Sequence, residues 1–196
     1  MAKTARKVTT ALAVSAALLT AGAATAADAP ERPTIVLHVD DFANFLPRDL
    51  DAAEALAART FRLAGIRTVW HHRRDKARRI DGALHLNVLV LSREMGLQKI
   101  AADGVGDSVL GQAAKGCGRA YIFGHRIAEL AKRNQRSVGD VLGWVIAHEL
   151  GHLILPENSH SATGIMSAAI DLGPRAVAVF TPAQRIAILD AFASAN

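Results

Sequence analysis

Apolar and polar positions group into short strand-like segments and longer helix-like segments that follow one another along the chain. The predicted strands have β-branched residues or alternate apolar with polar positions, and cover residues 34–39, 67–71, 84–91 and 119–123. The predicted helices have apolar residues three and four positions apart, and cover residues 47–64, 127–134, 138–155 and a final helix that starts at 181. This order of elements predicts an α/β (α+β) fold.

Residues at the ends of these segments strengthen the prediction. Ser137 has the side chain of an N-cap for the third predicted helix, and Pro156 ends that helix. Thr181 and Gln184 have the spacing of a capping box at the start of the last helix. Five glycines within residues 103–118 predict a loop, with a short edge strand near 109–113. The chain shows no repeat or linker, so we expect one domain over residues 27–196.

The third predicted helix is apolar on nearly every side, yet it contains the sequence His148-Glu149-Leu-Gly-His152. A helix that is apolar all round is buried, and buried polar side chains need partners. Residues four apart lie on the same helix face, so His148 and His152 can both bind one metal ion. Glu149 is placed to act on a metal-bound water without being a ligand. The pattern is typical of a zinc hydrolase.

Two features downstream extend the motif. His160, eight residues after His152, is the predicted third ligand of one Zn²⁺ ion. Gly164-Ile165-Met166 then predicts a tight turn, because glycine adopts a positive φ without strain.

Residues 148–166 resemble the metzincin-type zincin metalloproteases, whose pattern is H-E-x-x-H-x-x-G-x-x-H followed by a methionine turn. They are also similar to a group of small bacterial metzincin-like proteins. The resemblance implies a twisted mixed sheet, a long N-terminal helix, an active-site helix and a C-terminal helix. It further implies peptide-bond hydrolysis by zinc-bound water, with Glu149 as general base and His148, His152 and His160 as ligands.

This chain departs from the metzincin pattern after the second histidine. Leu155 stands where that pattern has glycine, Asn158 stands where it has the third histidine, and His160 follows two residues later. A loop longer by two residues costs little free energy, and an imidazole is a better zinc ligand than an amide. We therefore expect His160, and not Asn158, to complete the site. Tyr121, His125 and Asn158 are the candidates for stabilising an oxyanion.

Two other function classes stay open at this stage. One is a zinc-dependent hydrolase of a non-peptide amide or ester. The other is a non-catalytic secreted binding module stabilised by zinc, in which Cys117 or Asp171 would be a fourth ligand. Glu149 speaks against the second class, because a structural zinc site does not need an acid between its ligands.

The N-terminal segment predicts export. Lys3, Arg6 and Lys7 precede an apolar run over 8–24, and Ala24-Thr25-Ala26 fits a signal-peptidase site. The alternative is a membrane anchor, but the run is short for a span. We expect residues 1–26 to be a signal peptide and the mature protein to be secreted or periplasmic, without stable membrane insertion.

Charge gives little support for a nucleic-acid partner. The chain has a formal charge of +5, and removal of residues 1–26 takes away three basic residues and no acidic one, which leaves +2. The densest basic run, 73–79, has no interleaved aromatic residues for base stacking. With Cys117 as the only cysteine, no intramolecular disulfide is expected. The expected partner is a protein or peptide substrate, and the oligomeric state stays open.

Overall fold

The computed structural model describes residues 32–73, 75, 80–173 and 176–194. In this part of the chain, five strands form one mixed sheet with the order β2-β1-β3-β5-β4. Neighbouring strands run parallel except for β4, which lies at one edge of the sheet, antiparallel to β5. The strands are β1 (Thr34–Asp41), β2 (Arg67–His72), β3 (Leu84–Leu91), β4 (Gly111–Ala114) and β5 (Arg119–Phe123).

Five helices accompany the sheet among the described residues, which makes the fold α/β. They are α1 (Pro47–Leu63), α2 (Arg93–Asp103), α3 (Gly124–Arg133), α4 (Val138–Ile154) and α5 (Pro182–Ala193). The core lies between α1, α4 and one face of the sheet, and alternate residues of β1 (Ile35, Leu37 and Val39) project into it.

Glycines on α4 bring it close to α1. A Cβ atom at Gly139 would lie 2.7 Å from the Asp49 carbonyl oxygen, and one at Gly143 would lie 2.6 Å from the Ala53 carbonyl oxygen. Because these glycines are four residues apart, they form a flat strip on one side of α4 against which α1 packs. This contact fixes the position of α4, and so of the histidines that α4 carries.

The predicted strands and long helices are confirmed, with ends that differ by a few residues. The capping box at Thr181 and Gln184 is present, and the edge strand occurs at Gly111–Ala114. Helix α3 begins at Gly124, three residues before the predicted start. Helix α2 is absent from the sequence prediction, although Ser92 caps it by accepting the Met95 N–H at 3.2 Å.

The predicted signal peptide, residues 1–26, lies outside the described residues, as do 74 and 76–79 of the basic run. Among the helices that are described, none has the length and apolar character needed to cross a membrane.

Candidate metal centre

Helix α4 presents the H-E-x-x-H motif from a buried position. The Ser137 hydroxyl accepts the Asp140 N–H at 3.3 Å and caps the helix as predicted. Most of the side chains of α4 are buried, including that of Glu149. His148 and His152 lie one turn apart and point the same way, as their spacing requires.

The three histidines converge on a common point. Nε2 of His152 lies 3.0 Å from Nε2 of His148 and 3.1 Å from Nε2 of His160. One ring nitrogen from each residue falls within 4.8 Å of the others, which makes the group able to hold a metal ion. Two ligands of one ion at ~2.0–2.1 Å are separated by about 3.0–3.4 Å, so these distances fit a shared ion.

Hydrogen bonds to the other ring nitrogens orient two of these imidazoles. Nδ1 of His148 lies 2.8 Å from the Ile165 carbonyl oxygen. A carbonyl only accepts, so Nδ1 carries the proton and Nε2 keeps its lone pair for a metal. Nδ1 of His152 lies 3.4 Å from the Ser159 hydroxyl. The donor set therefore fits a metal ion that prefers imidazole nitrogen.

Burial keeps the histidines of α4 neutral. It is the main cause that lowers the pKa of His152 to about 4, and the neighbouring His148 and His160 add to the effect. Burial also lowers the pKa of His148. The hydrogen bond to the Ile165 carbonyl acts in the opposite direction and raises that pKa. A metal ligand must be deprotonated at its donor atom, so both side chains are ready to bind at neutral pH.

His160 is carried by a loop that α5 holds in place. The Gln184 side-chain amide donates to the Ser159 carbonyl at 2.9 Å and to the Ser161 hydroxyl at 3.2 Å. Its oxygen accepts the Thr181 N–H at 2.9 Å within the capping box. One buried side chain therefore links the start of α5 to both neighbours of His160.

Asn158 has a conformational role in this loop. Its φ is 58°, in the left-handed region that asparagine tolerates better than most residues. In the metzincin pattern the glycine of this loop precedes the third histidine by three residues, whereas here the left-handed residue precedes His160 by two. Asn158 is not in the metal-binding group among the described residues.

The predicted methionine turn packs against α4 and contacts His148. Gly164 has φ 82°, and the Ile165 N–H donates to the Val179 carbonyl at 2.8 Å. Met166 is fully buried, with its sulfur against α4 at Gly151. The same turn provides the Ile165 carbonyl that orients His148, so the turn and helix α4 pack together at this residue.

Glu149 projects toward the edge strand β4. A Cβ atom at Gly111 would lie 2.7 Å from Glu149 Cγ, so only glycine leaves room for this carboxyl group. Burial raises the pKa of Glu149 to about 8, although a hydrogen bond from the Ala113 N–H acts to lower it. The side chain is 6% exposed, which places a titratable acid between the metal-binding group and β4.

The centre opens into a cleft of about 1210 Å³ that is lined by residues of α3, α4, β4 and the loop after α4. His125 and Asn158 line this cleft. Tyr121 does not, and the Lys99 ammonium lies 4.1 Å from its ring centroid on the other side of the sheet. Tyr121 is therefore eliminated as an oxyanion donor.

The two proposed fourth ligands lie elsewhere. Cys117 is exposed, with its sulfur 3.5 Å from the Ala114 carbonyl oxygen. The Asp171 carboxylate accepts the Gly173 N–H at 2.8 Å beside a separate, smaller pocket. In the described part of the chain, neither residue belongs to the three-histidine group.

Three supporting residues were not identified from the sequence. The sequence indicates only the capping role of Gln184. Its side-chain amide has two N–H groups that the capping box does not use, and this is the one feature that could have predicted the hydrogen bonds to Ser159 and Ser161. Gly151 lets Met166 pack against α4 because it has no side chain. The Ile165 carbonyl has no sequence signal, since any residue has one.

No protein-family model and no curated protein matches this chain. What is established of the centre is its geometry: three histidines on an α/β fold, placed so that they can hold one metal ion.

Proposed function

We propose that the chain is an exported zinc-dependent peptidase with a zincin-like fold. The observation that carries the proposal is the convergence of His148, His152 and His160 beside the buried carboxyl group of Glu149. Three imidazoles and an adjacent acid are the set that zinc hydrolases use.

An open coordination sphere favours catalysis over a structural role. Structural zinc sites are usually closed by four protein ligands, whereas catalytic sites keep a position for water or substrate. The described residues offer three candidate ligands, and the group borders the large cleft. When bound, zinc would supply Lewis acidity that activates a water molecule and polarises a carbonyl group, and its charge would favour the ionised form of Glu149.

Glu149 is the general base in this account. Its carboxylate would take a proton from the attacking water and later deliver that proton to the leaving amine. The burial that raises its pKa makes it a stronger base than an exposed glutamate, and the Ala113 N–H holds one end of the side chain toward β4. In the zinc-bound protein, where the metal charge would favour its ionised form, the residue is therefore oriented to accept a proton.

The free edge of β4 favours a peptide as substrate. The Phe123 N–H donates to the Leu110 carbonyl at 2.9 Å, which fixes the register of the β4–β5 pair. In that register the backbone groups of Gly111 and Ala113 point away from β5, toward the outer edge. Both residues line the cleft. An extended peptide can add to this edge through main-chain hydrogen bonds to Gly111 and to the Ala113 carbonyl group, since the Ala113 N–H already bonds to Glu149.

The remaining parts of the proposal follow from the sequence. Residues 1–26 would direct export and be removed, which leaves a mature chain from about residue 27 in the periplasm or outside the cell. The substrate would then be a protein or peptide of that compartment.

The test is a digest of casein and of a mixed peptide library by the purified mature protein. We expect cleavage that a chelator abolishes and one equivalent of Zn²⁺ restores. Glu149→Gln should bind zinc as the parent does but cleave at least about 10²-fold more slowly, since it removes the base and no ligand.

Each other outcome selects a different function. Hydrolysis of amide or ester model compounds without cleavage of any peptide would identify a non-peptide hydrolase. Zinc binding without hydrolysis of either kind of compound would identify a zinc-stabilised binding module. Unchanged turnover in Glu149→Gln would show that the chemistry occurs elsewhere in the molecule.

A further inference from the structure

A second group of histidines lies on the face of the sheet opposite α1 and α4. Ile35, Leu37 and Val39 of β1 point into the core, so His38 projects from the other face. His71 on β2 is the register partner of His38, and His85 on β3 is offset from it by two residues. Three neighbouring strands therefore place one imidazole each on the same surface.

The three rings form a ladder. The ring centroid of His38 lies 5.8 Å from that of His71 and 5.5 Å from that of His85, and the planes are inclined by only 21° and 18°. Within this ladder, Nε2 of His38 and Nδ1 of His85 lie 3.1 Å apart at an exposed position. This nitrogen–nitrogen distance equals the one between His152 and His160 in the candidate metal centre on α4.

We propose that His38 and His85 form a second metal site, which binds a borderline transition-metal ion such as Cu²⁺ through Nε2 of His38 and Nδ1 of His85. Imidazole nitrogen is a preferred ligand of Cu²⁺, Ni²⁺ and Zn²⁺, and Cu²⁺ binds most tightly of the divalent series. Two nitrogens about 3 Å apart suit adjacent positions of a tetragonal Cu²⁺ ion, with solvent at the other positions.

The surroundings favour a cation over protons at this pair. Burial, followed by the neighbouring His85 and His71, lowers the pKa of His38, while Asp40 acts to raise it. The lone pair of His38 is therefore available at neutral pH. Asp40 lies two residues along β1 from His38 and so on the same face, where its negative charge attracts a dication. Asn87, the register partner of His38 on β3, adds an amide to the same face.

The test counts Cu²⁺ ions per chain in the mature protein, by calorimetric titration in a buffer that contains glycine to remove weakly held copper. We expect two ions for the parent, one for the double variant His38→Gln/His85→Gln, and one for His148→Gln/His152→Gln. In the last variant, the electron paramagnetic resonance spectrum should show coupling to two imidazole nitrogens.

His71→Gln is the matched control, because it removes the third ring of the ladder and neither proposed ligand. It should still bind two ions. No ion in His148→Gln/His152→Gln, or as many ions in His38→Gln/His85→Gln as in the parent, would overturn the proposal, as would loss of the second ion in His71→Gln. Each double variant leaves one of the two sites intact. If only the three-histidine centre fails to bind Cu²⁺, His148→Gln/His152→Gln still binds one ion, whereas if only the second site fails, that variant binds none.

Discussion

The sulfur of Met166 packs against Gly151, on the helix that carries His148 and His152. A Cβ atom at Gly151 would overlap Met166 Sδ and lie 3.2 Å from Phe180 Cε1. Met166 cannot retreat easily, because it is fully buried and its turn supplies the Ile165 carbonyl that orients His148. The absence of a side chain at position 151 therefore sets how closely the turn approaches the ligands.

Gly151→Ala should destabilise the protein and weaken metal binding together. Extra volume in a packed core costs about 1–3 kcal/mol, and displacement of the turn should move His148. Chemical denaturation and zinc titration measure the two effects. Gly116→Ala is the control, since a Cβ atom there meets no atom within 4 Å. Equal behaviour of the two variants would show that the contact has no role.

Gln184→Glu should separate the two roles of Gln184. A glutamate can still accept the Thr181 N–H in the capping box, but its carboxylate cannot donate to Ser159 and Ser161. Groups that support ligands typically contribute 10- to 100-fold to metal affinity, so we expect a loss in zinc affinity of about that size with α5 intact.

Thr181→Ala is the complementary variant, because it removes the cap and leaves both Gln184 donors. It should cost about 1 kcal/mol in the free energy of unfolding, with much less effect on zinc affinity. If Gln184→Glu binds zinc as tightly as the parent, the link from α5 does not position His160.

Asn158 should behave as a turn residue and not as a ligand. Asn158→Gly keeps access to a positive φ and should bind zinc like the parent. Asn158→Val places a β-branched residue at φ 58°, which should lower stability by at least about 1 kcal/mol and weaken zinc binding. Zinc titration decides between the roles, since removal of a ligand would weaken binding equally in both variants.

The sequence predicted the residues of this centre more completely than the residues that hold them in position. The H-E-x-x-H spacing places two histidines on one face of the helix by helix geometry, and ligand chemistry adds His160 as the third member of the group. Gln184, Gly151 and the Ile165 carbonyl act through contacts between residues distant in the chain, which no local pattern encodes.

The same division applies to the fold. Buried or alternating strands such as 84–91 and the capped helix α4 have strong local patterns. Helix α2 buries little besides Gly96, so its apolar periodicity is weak and the sequence did not predict it. The start of α3 was misplaced because Gly124, which favours a loop by propensity, is buried at the first position of the helix.

Glu149 should make the stability of the metal-free protein fall as pH rises. Its pKa of about 8 in the folded state exceeds the ordinary value of 4.5, so the folded state holds the proton more tightly. The stabilisation is complete below pH 4.5 and is lost as pH rises to about 8, by at most about 5 kcal/mol. Glu149→Gln has no such proton to lose.

The difference in unfolding free energy between the parent and Glu149→Gln, measured in chelator from pH 4.5 to 9, isolates this contribution. Relative to the parent, Glu149→Gln should become steadily more stable to unfolding as pH rises. The low pKa of His152 affects both proteins alike and cancels. A difference that does not vary with pH would contradict a buried, protonated Glu149.

X-ray absorption at the zinc edge tests most directly whether the three histidines hold one ion. The sample is the His38→Gln/His85→Gln protein with one equivalent of Zn²⁺, compared with the same protein that also carries His160→Ala. We expect three imidazole nitrogens and one oxygen at ~2.0–2.1 Å in the first, and two imidazoles in the second. The same number of imidazoles in both samples would show that His160 is not a ligand and would contradict the proposed centre.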